Sequence, residues 1–226
     1  MTGFAGRSAS EILRPYLPAA ALDHVERAIA GLAVDLRVVR PRRTKLGDHR
    51  PPPAPLRPHR ITVNADLNPY AFLTTLLHEV AHAATWERHR PRRRLRPHGP
   101  EWKQEFSAVL APVVAAGVFP DELAAAVTRS LWNPAAATCS DRELLLALAR
   151  YDRPPEGRVR VEDLPDGAWF RIDGRHLFRA GRIVRTRRRC FEVGTGREYR
   201  VHGLAFVEPL AMEPTLTVPR RRGRRT

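Results

Sequence analysis

The chain has 226 residues, 43% of them hydrophobic, with 39 Lys and Arg against 24 Asp and Glu and a formal net charge of +15. That length and apolar share suffice for one sizeable core and a smaller satellite, which excludes a disordered polymer. Met1 to Ser10 lacks an apolar leader pattern and no later stretch is a long uninterrupted apolar run. The expectation is therefore a soluble, cytoplasmic protein without a membrane partner, whose charge favours a polyanion.

Ser8 and Glu11 are spaced as a capping box, and Pro18 precedes a helical pattern in which Leu22, Val25 and Ile29 share a face and Gly31 is the stop. Val34, Leu36 and Val38 alternate as a strand does, and Ile61 with Val63 repeats the pattern. Between them, Arg40 to Arg60 is rich in Arg and Pro and is predicted to be a hairpin or edge strand, a place where an extended substrate can pair. Asn68 as N-cap, Pro69 at the first helical position, and Leu73, Leu76, Leu77, Val80 and Ala84 at helical spacing predict a buried helix from Asn68 to Trp86. A second helix follows His98, with Pro100 in its first turn and Trp102, Phe106, Val109 and Val113 as its apolar stripe. Two short helices are predicted over 120–131 and 140–150, the latter opened by a Ser140/Glu143 capping box. From Arg158 onward, short apolar runs separated by Gly174, Gly181 and Gly194-Thr195-Gly196 predict a small barrel or rolled sheet.

Inside the buried helix stands His78-Glu79-Val80-Ala81-His82. Residues four apart lie on one helical face, so His78 and His82 can offer imidazole nitrogens to one metal ion, with Glu79 beside it and not forced to ligate. Were these merely core histidines, two on one face with a glutamate between them would be hard to satisfy by hydrogen bonds alone. Of the candidates for a third ligand, His89 is out of register with the extended metzincin pattern, whereas His98 opens a packed helix and is well held. The chemistry that such a set serves is hydrolysis, with Glu79 taking a proton from water as general base.

Thr44-Lys45-Leu46-Gly47-Asp48, then Arg60 to Asn68, Leu77 to His82 and His98-Gly99-Pro100-Glu101-Trp102 together resemble the SprT-like, Spartan-related zinc metallopeptidases over roughly residues 10 to 115. The resemblance implies an α+β chain. It would have a zincin-like metallopeptidase domain of helices and a small antiparallel sheet over 1–138, while outside the resemblance the strand pattern and charge predict a helix and small β-rich domain over 139–210 and a basic, disordered tail over 211–226. It also implies one Zn2+ per chain held by His78, His82 and His98, with Glu79 catalytic, and a protein substrate, since family members in eukaryotes cleave proteins crosslinked to DNA. Many members end in a zinc ribbon of two Cys-x-x-Cys pairs. Here only Cys139 and Cys190 are present, too far apart for such a pair, which excludes the ribbon and suggests a reducing compartment.

Basic residues concentrate in two places. Arg88, Arg90, Arg92, Arg93, Arg94 and Arg96 fall between the second and third proposed ligands, and Arg182, Arg185, Arg187, Arg188 and Arg189 lie near Phe178 and Phe191. Phosphate contacts and base stacking need these residue types, so Arg92, Arg93, Arg94, Arg185, Arg187 and Arg188 are the expected nucleic-acid contacts, with DNA or another polyanion as partner and a nucleoid-associated location in prospect. An alternative is a zinc-stabilised nucleic-acid-binding protein with weak or vestigial peptidase activity; an intact Glu79 argues against it, because a purely structural zinc site needs no such carboxylate.

Overall fold

The computed structural model describes residues 9–42, 44–54, 57–89, 96–132 and 142–211. Its residues form two compact units, Met1–Asp152 and Arg153–Thr226. In chain order the first unit holds α1 (Ala9–Leu13), α2 (Leu22–Ile29), β1 (Val34–Val39), β2 (Gly47–Arg50), β3 (His59–Asn64), α3 (Pro69–His89), α4 (Pro100–Ala115), α5 (Asp121–Trp132) and α6 (Arg142–Ala149). None of these described helices is long and apolar enough to cross a membrane.

The three strands order as β1-β3-β2, with β1 parallel and β2 antiparallel to β3. This is a mixed sheet, where a small antiparallel one was expected. Residues 40–58 supply the crossover that a parallel pair requires, and β3, whose Ile61 and Val63 are fully buried, takes the centre. β2 is left as an edge strand. The helix-facing side of the sheet packs Val34, Leu36, Ile61 and Val63 into one core with Phe72, Leu73, Leu76, Leu77 and Val80 of α3. α3 is buried through most of its length, from Phe72 to Thr85, as a helix apolar nearly all round must be. Its start is fixed as the sequence predicts: Asn68 Oδ1 accepts from the backbone N–H groups of Tyr70 and Ala71 at 3.1 and 3.0 Å.

The structure places the division between units at Asp152, later than the 138/139 boundary read from sequence. α6 belongs to the first unit because Leu144 and Leu148 enter its core, and because the Asn68 side-chain amide donates to Leu148 O and the Asp152 carboxylate at 2.9 and 2.6 Å. Ser8 and Ser140, proposed as caps, lie outside the described residues, as do Cys139 and the basic tail.

The second unit contains β4 (Val159–Arg160), β5 (Trp169–Ile172), β6 (His176–Val184), β7 (Arg187–Glu192), β8 (Glu198–His202) and β9 (Phe206–Leu210) in one antiparallel sheet, ordered β4-β9-β5-β6-β7-β8. Its core is Val161, Leu164, Phe170, Phe178, Ala180, Cys190 and Val207. Gly181, expected to separate two strands, instead lies inside β6 at a register shift between Ala180 and Ile183. A Cβ there would stand 3.0 Å from Arg189 O and 3.1 Å from the Phe191 ring, so glycine allows the close approach and the bulge. The Cys190 thiol is buried and pushed up to about 11, chiefly by that burial, which makes it inert.

Candidate metal centre

α3 presents His78 and His82 one turn apart, and the segment leading into α4 brings His98 to them. The three Nε2 atoms form a triangle with sides of 3.3 Å (His78 to His82), 3.2 Å (His82 to His98) and 3.0 Å (His98 to His78). Hydrogen bonding cannot explain such a triangle. Each neutral ring nitrogen is either a donor or an acceptor, so of three mutual neighbours two must be alike and repel. A cation resolves the conflict, because all three then present lone pairs to it. Tetrahedral geometry with metal–nitrogen bonds of about 2.0–2.1 Å separates ligand nitrogens by about 3.3–3.4 Å, close to the observed spacing. The donor set therefore fits a metal ion, and His78, His82 and His98 are the group of His, Cys, Asp and Glu side chains among the described residues that can hold one. His89, at the last position of α3, is not in it.

Electrostatics keep the three rings ready. Burial, reinforced by the neighbouring imidazoles, pushes His78 and His82 down to about 3, and burial lowers His98 as well. Neutral imidazole is the form that ligates. His98 has φ of 58°, in the left-handed region where a non-glycine residue is strained by about 1–3 kcal/mol. The following helix start holds it there: Gly99 N–H donates to Arg96 O at 2.9 Å, and Pro100 begins α4. Trp102, buried in α4, packs against all three rings with centroids 4.5, 5.3 and 4.6 Å from those of His78, His82 and His98, and stacks on Phe106. Arg88 Nη1 donates to the buried Glu105 carboxylate at 2.9 Å, tying the end of α3 to α4. Arg88 is thus part of the scaffold, although its run of arginines suggested a rim for anions.

Glu79 is buried on α3 between the two histidines. Burial raises its carboxyl to about 7, helped by the charge of Asp48, while Arg42, Lys45 and the His49 backbone N–H act in the opposite direction. A carboxylate in that range is well matched to proton transfer near neutrality. β2 lies directly over it: a Cβ at Gly47 would come within 2.5 Å of Glu79 Oε1. The next residue on the same side of the strand is His49, whose ring stands parallel to that of His82 at 6.0 Å. His49 and its neighbour His59 were not among the residues chosen from sequence. Neither sits in a recognisable motif, and only the β2–β3 register puts them beside α3.

The expected arginine contacts divide. Arg92, Arg93 and Arg94 lie outside the described residues. Arg185, at φ 56°, and Arg187 are exposed at the β6–β7 turn and the start of β7. Arg188 corrects the expectation, being 2% exposed with its guanidinium committed inside the second unit. It donates to Gly181 O at 2.6 Å, to Val161 O at 3.0 Å, and to Leu164 O and the Asp166 carboxylate. Alternation along β7 is the cause: Arg188 and Cys190 turn in while Arg187, Arg189 and Phe191 turn out. The outer face carries three arginine–aromatic contacts, Arg160 over Phe206, Arg179 over Trp169 and Arg189 over Phe191, at 5.6, 5.7 and 5.7 Å. Cross-strand register places Trp169, Arg179, Phe191 and Glu198 in one row on it.

An α+β first unit with a three-histidine centre, two from one long buried helix and the third from the segment that opens the next, defines a candidate metalloprotein. Residues 25–119 match the model of the SprT-like family. The matched span contains β1 to β3, α3 and α4, and with them all three histidines and Glu79. Neither the curated proteins nor the solved structures gave a match to the chain.

Proposed function

We propose that the first unit is a zincin-like, zinc-dependent endopeptidase acting on protein substrates. The observation that carries this reading is the triangle of Nε2 atoms, 3.0–3.3 Å on a side, with the carboxyl of Glu79 buried on the same helix. His78, His82 and His98 would hold one Zn2+, which supplies Lewis acidity, acidifying water and polarising a peptide carbonyl. Three protein ligands leave a coordination position open, as catalysis requires and a closed structural site does not. Glu79 takes the proton of the attacking water on a carboxylate oxygen and returns it to the departing amine nitrogen. Trp102 and Phe106 wall the inner side of the centre, and β2 covers Glu79, so the carboxylate is shielded from bulk water. The test is hydrolysis of a denatured protein by zinc-loaded chain and by Glu79→Gln: cleavage lost in the variant with zinc retained supports the role, and equal cleavage by both refutes it.

A second reading concerns partners. The outer face of the second unit, with Arg179 exposed beside Trp169 and Arg160 and Arg189 half-buried beside Phe206 and Phe191, suits phosphate contacts and base stacking on single-stranded nucleic acid, so DNA-associated proteins become the substrate class of interest. Anisotropy titration of a labelled single strand at rising salt tests it. A steep loss of affinity supports the partner, and affinity that is unchanged by salt removes it. If that face binds while wild-type chain cleaves nothing, the nucleic-acid-binding alternative with a vestigial centre is the better account.

A further inference from the structure

Beside the proposed centre lie three hydrogen-bonded side chains that the chemistry above does not use. His49 Nε2 is 2.9 Å from His59 Nδ1, and His59 Nε2 is 2.9 Å from Glu87 Oε1. His59 is 1% exposed, so in the folded chain these two side chains satisfy its ring nitrogens. The direction of the chain follows from donor inventory. A carboxylate only accepts, so His59 Nε2 carries the proton; a neutral His59 then accepts at Nδ1 from Nε2–H of His49.

The placement gives the chain its purpose. His59, Ile61 and His49 occupy the helix-facing side of the β2–β3 pair, His49 opposite Ile61 in register. Glu87 stands two turns beyond Glu79 on α3, about 12 Å along the axis. At its other end the chain reaches the centre twice, through the His49 ring parallel to His82 and through the His49 backbone N–H on the Glu79 carboxylate. The strand that steadies the base is thereby fastened to the helix that carries it. Gly47, with no side chain, lets the strand come this close.

We infer that Glu87, His59 and His49 form a positioning chain that locks β2 onto α3, setting the Glu79 carboxylate and backing the His82 ring, with the His49 proton on Nε2. Its catalytic consequence rests on the peptidase reading; its tautomer does not. The experiment uses zinc-loaded full-length wild type, Glu87→Gln, Glu87→Ala and His59→Phe. Ring tautomers are read by long-range proton–nitrogen NMR at about pH 8.5, two units above an unperturbed imidazole. Steady-state kinetics are measured alongside. We expect the His49 and His59 protons on Nε2 in wild type and in Glu87→Gln, which keeps an acceptor. In Glu87→Ala and His59→Phe we expect kcat to fall about tenfold with KM within about twofold, the scale of losing a supporting contact around a metal site. Glu87→Gln should restore most of that loss. A His49 proton on Nδ1 in wild type, or wild-type kcat in both Glu87→Ala and His59→Phe, overturns the inference. Should His59→Phe not fold, the Glu87 pair decides alone. If wild type cleaves nothing, the peptidase reading fails while the tautomers still decide the chain.

Discussion

Two clusters of like residues meet opposite fates. His78 and His82 are four apart on a helix, and the helix period brings them to one side, where His98 joins them. Arg187, Arg188 and Arg189 are adjacent on a strand, and the strand period drives the middle one into the core, against backbone carbonyls, and its neighbours out. Sequence proximity thus gathers like side chains on α3 and divides them on β7. Counting charges would have treated the three arginines as one patch, yet they serve two purposes.

Substitutions can sharpen that contrast, and the largest effect belongs to the helix. Glu79→Gln should lower kcat on the order of a thousandfold while zinc content stays near wild type, checked by peptide hydrolysis and elemental analysis. Next is Gly47→Ala, whose new methyl carbon would sit 2.5 Å from Glu79 Oε1. Shifting the carboxylate by about 1 Å should cost about a hundredfold in kcat, with the fold intact by circular dichroism. On the strand, Arg188→Ala should destabilise the second unit by about 3 kcal/mol, because buried carbonyls lose their donor, whereas Arg187→Ala should change stability by less than about 0.5 kcal/mol. Urea denaturation of both variants reads the difference, and equal effects would erase the contrast between the two positions.

The last expected effect is the pH dependence of metal-free stability. His78 and His82 are held near about 3 and His49 near about 4, chiefly by burial, all below the ordinary 6.5. Between those limits the unfolded chain binds more protons than the folded one, so stability falls as pH falls. Glu79, raised from 4.5 to about 7, opposes this only between those two values, where the folded state binds the extra proton. Three histidines outweigh one carboxyl, so urea midpoints should fall as pH drops below about 6.5, and more steeply below about 4.5, where the opposition of Glu79 ends. A midpoint that rises on acidification through that range would contradict the burial of the histidines.

Much of the first unit was legible because its signals are local. Asn68 caps α3, Pro100 starts α4, and the apolar residues of both helices recur at the helix period. The centre was legible too, since two of its histidines share a helix turn and the third stands at a helix start. His49, His59 and Glu87 were not, because they meet only through strand register and packing on α3. Likewise the parallel pairing of β1 with β3 depends on a crossover whose Pro-rich sequence reads only as a hairpin or edge strand. Gly181 was taken for a turn because glycine in a bulge and glycine in a turn look alike without the partner strand.

The central claim is that three histidines hold one zinc ion. Elemental mass spectrometry of wild type and His98→Ala, purified side by side and reloaded with zinc, tests it most directly. One zinc per wild-type chain and a clear loss in His98→Ala is the result this account predicts; a wild-type chain that holds no zinc after reloading would contradict it.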